Sequence, residues 1–221
     1  HLPTTKIIKN AFATVKGMWK LLLFILISNI TPELSSILFY KLKLTLNPVD
    51  ISIIGLAAAG TACVVSAGYQ FSHSIRGAVI VSMWLDVVAA GLAFAIAVGA
   101  PPYDYAIARA IFKAVASMLF TLPIIIYTTK QCQEGSEGTT YSIVMSWMNL
   151  TGIISEAIEG TVVNAIGITQ TDLSMMSTFC LAALGITFVP LVAYKLIGDV
   201  FETRSSVTPV SLEVGAGGQE T

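Results

Sequence analysis

Charge is what this sequence has least of. Only 11% of its 221 residues are Asp, Glu, Lys or Arg, less than half of the roughly 25% found in soluble domains. So little charge cannot dress a water-facing surface, which excludes a soluble globular fold. The 55% hydrophobic content excludes disorder as well. A net charge of −1 provides no basic face, so nucleic acid is not an expected partner. The three cysteines, Cys63, Cys132 and Cys180, are too few and too far apart for a disulfide framework or a zinc site. The histidines are His1 and His73, and there is no HExxH, GxSxG or glycine-rich phosphate loop. No enzyme is expected, and no cofactor or metal.

What the chain does have is long apolar runs, with a mean hydropathy of +0.79. A membrane helix needs roughly 20 mostly apolar residues, and six stretches qualify. They run from about Met18 to Tyr40, Ile51 to Phe71, Ile75 to Gly99, Tyr105 to Thr129, Thr139 to Ile166, and Asp172 to Ile197. Asn47-Pro48, Pro101-Pro102 and the polar run Gln131 to Gly138 separate them. The expected fold is an all-α membrane protein, a six-transmembrane-helix bundle over 18–198. Residues 1–17 form a lysine-dotted amphipathic lead-in, and 199–221 a disordered tail. The chain opens on His1 without a signal-peptide pattern and reads as a fragment.

Six spans put both ends on one side. Lys6, Lys9, Lys16, Lys20, Arg76, Lys130, Lys195 and Arg204 then oppose Lys41 and Lys43. This bias places the ends, lead-in and tail included, in the cytosol or its organellar equivalent.

Away from their ends the spans hold six charged residues: Glu33, Asp86, Arg109, Lys113, Glu156 and Glu159. Each costs about 2.5–3.5 kcal/mol at a helix centre, so each must face a partner or a wet cavity. A rise of ~1.5 Å per residue on antiparallel spans sets Arg109 level with Glu159 and Lys113 level with Glu156. One reading makes these two ion pairs that fix helix packing. The other makes them the lining of a substrate cavity, the cations meeting an anion and an acid carrying a coupling proton. Asp86 lies nearest the midplane, one turn from Ser82, as a local polar cluster or a proton site.

Other features have packing explanations. Gly91, Ala95 and Gly99, beside Ala89, Ala93 and Ala97, form a small-residue ridge for close helix contact. Thr31-Pro32 should break the hydrogen-bond ladder and kink the first span. The sequons at Asn29 and Asn149 lie inside spans and are discounted as glycosylation sites.

The fifth span carries a resemblance. Glu137-Gly-Thr139-Thr-Tyr141, Met145-Ser146, Asn149-Leu150 and Gly152 resemble the segment E-A-T-x-Y-x-x-x-M-S-x-x-N-x-G of the folate–biopterin transporter family, within the major facilitator superfamily. Thr31-Pro32 with Phe39-Tyr40, Gly167-Ile-Thr169 with Asp172, and Val189-Pro190-Leu191 are similar to further patterns of that family. The resemblance implies twelve helices, of which these six match the second half. The chain would then work with a missing N-terminal six-helix half. It implies a small-molecule substrate, folate, biopterin or a related organic anion, probed by Glu33, Arg109, Lys113, Asn149, Glu156 and Glu159. Proton coupling would fall to Asp86 or Glu156, although Asp86 maps to a peripheral helix.

Members of the family occupy plasma membranes and plastid envelopes. Arg109 stands where members usually carry an acid, and Thr151 where many have Gly. The alternative is a membrane scaffold or half-transporter subunit that moves nothing. A pterin offers adjacent N–H donors to one carboxylate, Glu156 or Glu33. The folate tail suits Arg109 with Lys113. On this reading Arg109→Ala weakens folate uptake more than uptake of uncharged biopterin, and equal loss of both marks a structural residue.

Overall fold

The computed structural model describes residues 4–69, 74–132, 135–197 and 200–201. The first three residues, the end of the second expected span at Phe71, and nearly all of the expected tail lie outside them. Nine helices and no strand occur among the described residues. They are α1 (Thr4–Gly17), α2 (Trp19–Asn29), α3 (Ser35–Thr45), α4 (Pro48–Tyr69), α5 (Ile75–Ala97), α6 (Pro102–Gln131), α7 (Glu137–Ala165), α8 (Met176–Ile186) and α9 (Val189–Ile197).

Local chemistry starts and stops these helices. Pro48 and Pro102 occupy first helical positions, where the missing N–H costs nothing. The Asn47 side chain accepts from Asp50 N at 3.0 Å, and Ser74 Oγ accepts from Gly77 N at 3.0 Å, each capping a helix start. α5 and α7 end in the same left-handed glycine motif. Gly99 (φ +109°) and Gly167 (φ +76°) let Ala100 N reach Ala95 O at 2.9 Å and Ile168 N reach Val163 O at 3.1 Å. Gly99 therefore ends the fourth-residue ridge instead of extending it. In the second half of α5 the buried residues are Ala89, Ala90, Ala93 and Ile96, not Gly91 or Ala95.

The long segments alternate in direction, so each end of the bundle gathers its own apolar cluster. One, here the upper end, holds Leu34, Ile37, Leu38, Ala93, Ile96, Ala106, Ile168, Phe179 and Ala183. The lower end holds Leu21, Phe24, Ile25, Val79, Met83, Ile124, Tyr127 and Val144. Val200 and Phe201, from the expected tail, are also buried there. Phe24 sits at the centre of the lower cluster, its ring 5.9 Å from Phe120 and 5.6 Å from Tyr194. α5 and α6 form the main helix pair, and α4 leans on α6 with only Tyr69 buried.

Length and hydropathy give four helices able to cross a membrane: α4, α5, α6 and α8–α9 taken as one segment. Residues 7–17 of α1 and α2, bent by 65° at Met18, make five if counted together. The reading of the sequence counts six, and the difference has two physical sources. Its first span is two helices, α2 and α3, separated at 30–34. Its fifth, α7, is long enough at 29 residues but is loaded with Glu137, Asn149, Glu156 and Glu159.

The turn after α7 yields a test. The Asp172 carboxylate accepts from Ser174 N at 3.0 Å, and that bond holds its pKa below the ordinary carboxylate value. A lowered pKa means that the stabilisation is complete above the ordinary value and lost as pH falls through the lowered one. Amide exchange at Ser174, corrected for its intrinsic pH dependence, should therefore accelerate in acid, and Asp172→Ala should abolish that step. Gly167→Ala should cost about 1 kcal/mol or more in thermal unfolding, because no Cβ is comfortable at that φ.

Candidate functional site

The site grows from a break in the chain. Pro32 has no N–H, so the ladder of α2 cannot continue into α3. Five residues, 30–34, are left with exposed peptide groups inside a bundle that has no room for unpaired ones. Six of these groups have partners within the protein. Ile30 N returns to Leu26 O at 3.1 Å, and Thr31 O accepts from Ser155 Oγ at 3.4 Å. Glu33 N and Leu34 N both donate to Glu159 Oε2, at 3.1 and 3.3 Å. Glu33 O accepts from Arg109 Nη2 at 2.6 Å. Leu34 O accepts the first bond of α3, from Leu38 N at 3.0 Å. Glu159 thus takes, from another helix, the two N–H groups that lead into α3, as the Glu of a capping box does locally for the N-cap N–H.

Leu34 itself is left-handed, with φ +59°, in a conformation that costs a non-glycine residue about 1–3 kcal/mol. The surroundings hold it there. Its side chain is 2% exposed within the upper cluster, and its N–H is tied to Glu159. Around the break, α2 is stitched to α7 by Asn29 Nδ2 to Thr151 Oγ1 at 2.6 Å and by Trp147 Nε1 to Leu22 O at 2.9 Å.

A second break lies nearby, where Pro190 divides α8 from α9 at Thr187-Phe188. Between the two breaks opens a cleft of about 370 Å³, within the range of small-molecule sites. Its polar wall includes Asn29, Glu33, Asp86, Lys113, Asn149 and Glu156; Met83, Phe120, Met145 and Met148 supply an apolar one. The cleft is a polar layer between the two apolar clusters. A smaller void of about 20 Å³ adjoins it, bounded by Glu33, Asp86, Arg109, Lys113 and Thr187 among others.

Lys113 Nζ lies 2.9 Å from Asp86 Oδ1, and both side chains are about one-third exposed. Lys113 therefore pairs with Asp86 on α5 and not with Glu156, with which it only shares the cleft. Asp86 does not cluster with Ser82, whose hydroxyl donates to Val79 O at 2.7 Å. Arg109 and Glu159 do come to one level, but the Glu33 peptide stands between them as acceptor and donor. Arg109 Nε and Glu159 Oε1 are buried and hydrogen-bonded to nothing among the described residues. The residues expected to bind substrate thus divide. Glu33, Lys113, Asn149 and Glu156 line the cleft, with Asp86 beside them, while Arg109 and Glu159 hold the break.

Sequence reasoning missed Asn29 and Ser155, along with the methionine wall. Asn29 carried a signal: a polar amide one turn before Thr31-Pro32 belongs to the same break. Met83, Met145 and Met148 carried none, since methionine in an apolar span is ordinary core. Among the described residues no group of three His, Cys, Asp or Glu side chains could hold a metal.

Apolar helices packed around a polar cleft, with helices broken at its level, define a polytopic integral membrane protein. The chain belongs to the BT1 family, whose profile matches residues 6–207. It is also similar to the folate-biopterin transporter of Synechocystis sp. (strain ATCC 27184 / PCC 6803 / Kazusa), at 24% identity over 95 residues. That stretch covers 43% of this chain and 19% of the relative. No solved structure matches.

Glu159 is the residue whose removal the break should feel most. Glu159→Ala strands two backbone N–H groups and should lower stability by about 3 kcal/mol. Glu159→Gln keeps a carbonyl acceptor and should cost about half as much. Thermal unfolding of the two variants in detergent reads the difference, and equal losses would show that the cap contributes little.

Proposed function

We propose that the cleft is the substrate site of a membrane transporter that carries folate, biopterin or a related organic anion. The observation that carries this reading is the Lys113–Asp86 pair, facing a polar cleft, in a chain of the BT1 family. Each of these partly exposed charges is expensive within a bilayer, and a site that must receive and release an anion needs a cation whose counter-ion can be displaced. Lys113 meets the substrate carboxylate, and Asp86 neutralises it while the cleft is empty. Glu33 and Glu156 are carboxylates for the paired N–H donors of a pterin ring, and Asn149 adds a neutral donor and acceptor. The methionines with Phe120 offer a soft, polarizable wall for a flat heteroaromatic ring.

In this reading the bundle matches the second half of a twelve-helix transporter of the major facilitator type, and an opposing six-helix bundle closes the cleft. Transport is coupled to protons, with Asp86 taking up the proton when substrate draws Lys113 away. Glu156, exposed in the cleft and in no ion pair among the described residues, is the second acid for that role. The membrane is a plasma membrane or a plastid envelope. Arg109 moves from substrate contact to support of the break, so the burden of anion recognition rests on Lys113.

Uptake of labelled folate and biopterin by cells expressing the full-length protein tests this. Lys113→Gln should depress folate uptake by roughly 10- to 100-fold, the worth of a charge-assisted contact, and biopterin uptake much less. Equal loss of both would reduce Lys113 to a packing residue. No uptake of either by the wild type would favour a scaffold or subunit that moves no solute.

A further inference from the structure

α1 presents three stripes, not two. Ala11 is fully buried and Met18 is 5% exposed, and this face packs on α7. At 100° per residue, Ile8 and Phe12 form the next stripe round the helix, with Val15 between them and the buried face, packed on the lower cluster. Ile8 is 45% and Phe12 64% exposed, and Trp19, at the start of α2, is 56% exposed. One step further come Lys9 and Lys16, both exposed, with Lys20 following on α2. No acidic residue precedes Glu33. An exposed apolar stripe bordered by lysines alone is the pattern of a helix lying in a membrane interface, its apolar side toward the acyl chains.

Geometry agrees with that orientation. α1 meets α2 at 65°, so a helix that enters the bundle along its axis is preceded by one that lies across its lower end. Further basic residues at that end, among them Lys130 at the close of α6 and Lys195 in the last turn of α9, mark the same level. We propose that α1 is an interfacial anchor that binds anionic lipid headgroups of the leaflet at this end. The lysine ammonium groups of Lys9, Lys16 and Lys20 meet phosphodiester oxygens, while Ile8, Phe12 and Trp19 enter the acyl boundary. This surface is separate from the cleft and does not depend on what the cleft carries.

Two measurements on the full chain in lipid nanodiscs test the anchor. A nitroxide placed through Phe12→Cys, with Cys63, Cys132 and Cys180 replaced by alanine, should be more accessible to oxygen than to a water-soluble nickel chelate. Greater access for the chelate would put Phe12 in water and overturn the proposal. Shielding from both would put a protein surface on the stripe and overturn it equally.

In nanodiscs mixing phosphatidylcholine and phosphatidylglycerol, the lipid retained around the wild type should be enriched in phosphatidylglycerol. Lys9→Gln, Lys16→Gln and Lys20→Gln should each lower that enrichment about fivefold, and high salt should lower it too. Thermal unfolding should stay unchanged, since all three side chains are exposed. Enrichment that survives the triple substitution would mean that α1 does not read headgroup charge.

Discussion

The peptide groups of residues 30–34 must be hydrogen-bonded without water, and the centre of the molecule is arranged around that demand. A helix interrupted by Pro32 leaves donors and acceptors that the low-dielectric interior penalises by several kcal/mol each. Three side chains from two other helices supply the answers: Glu159 and Ser155 from α7, and Arg109 from α6. Because a carboxylate takes the N–H side and a guanidinium the C=O side of one peptide, the break also neutralises two charges that neither helix could hold alone. The polarised peptide between them acts as the link that a direct ion pair would otherwise make.

The cleft follows from the same interruption. An unbroken first span would fill the space between the apolar clusters with side chains. Ending α2 at Asn29 and restarting at Ser35 leaves room, and the second interruption at Thr187-Phe188 enlarges it from the opposite wall. The left-handed Leu34 is the local cost, about 1–3 kcal/mol, offset by burial of its side chain in the upper cluster. Lys113 and Asp86, each about one-third exposed, sit at the edge of this opening instead of within either cluster.

Much of the outline was legible in the sequence. The charge deficit and the apolar runs indicated a helical membrane protein. Thr31-Pro32 marked the interrupted span, and the fifth-span motif pointed to the family that the profile match now establishes. The depth argument correctly set Arg109 level with Glu159. It failed on partners: a rise per residue gives height along an axis but not azimuth, so Lys113 was matched to Glu156 when α5 turned Asp86 toward it. It failed on the ridge too, since Gly99 lies beyond the last turn of α5, where a left-handed residue ends the helix.

By itself, then, the sequence determined the solvent and the secondary structure, because both depend on local composition and on where proline and glycine interrupt a ladder. It also determined which few side chains had to be satisfied away from water. Only the tertiary structure decided how they are satisfied. Whether Arg109 meets a carboxylate, a substrate or a carbonyl depends on how α6 and α7 rotate against the break, and that rotation is set by packing between residues far apart in the chain. The scarce charge thereby separates into two sets: Arg109 and Glu159, which hold the backbone, and Lys113, Asp86, Glu33 and Glu156, which face the cleft.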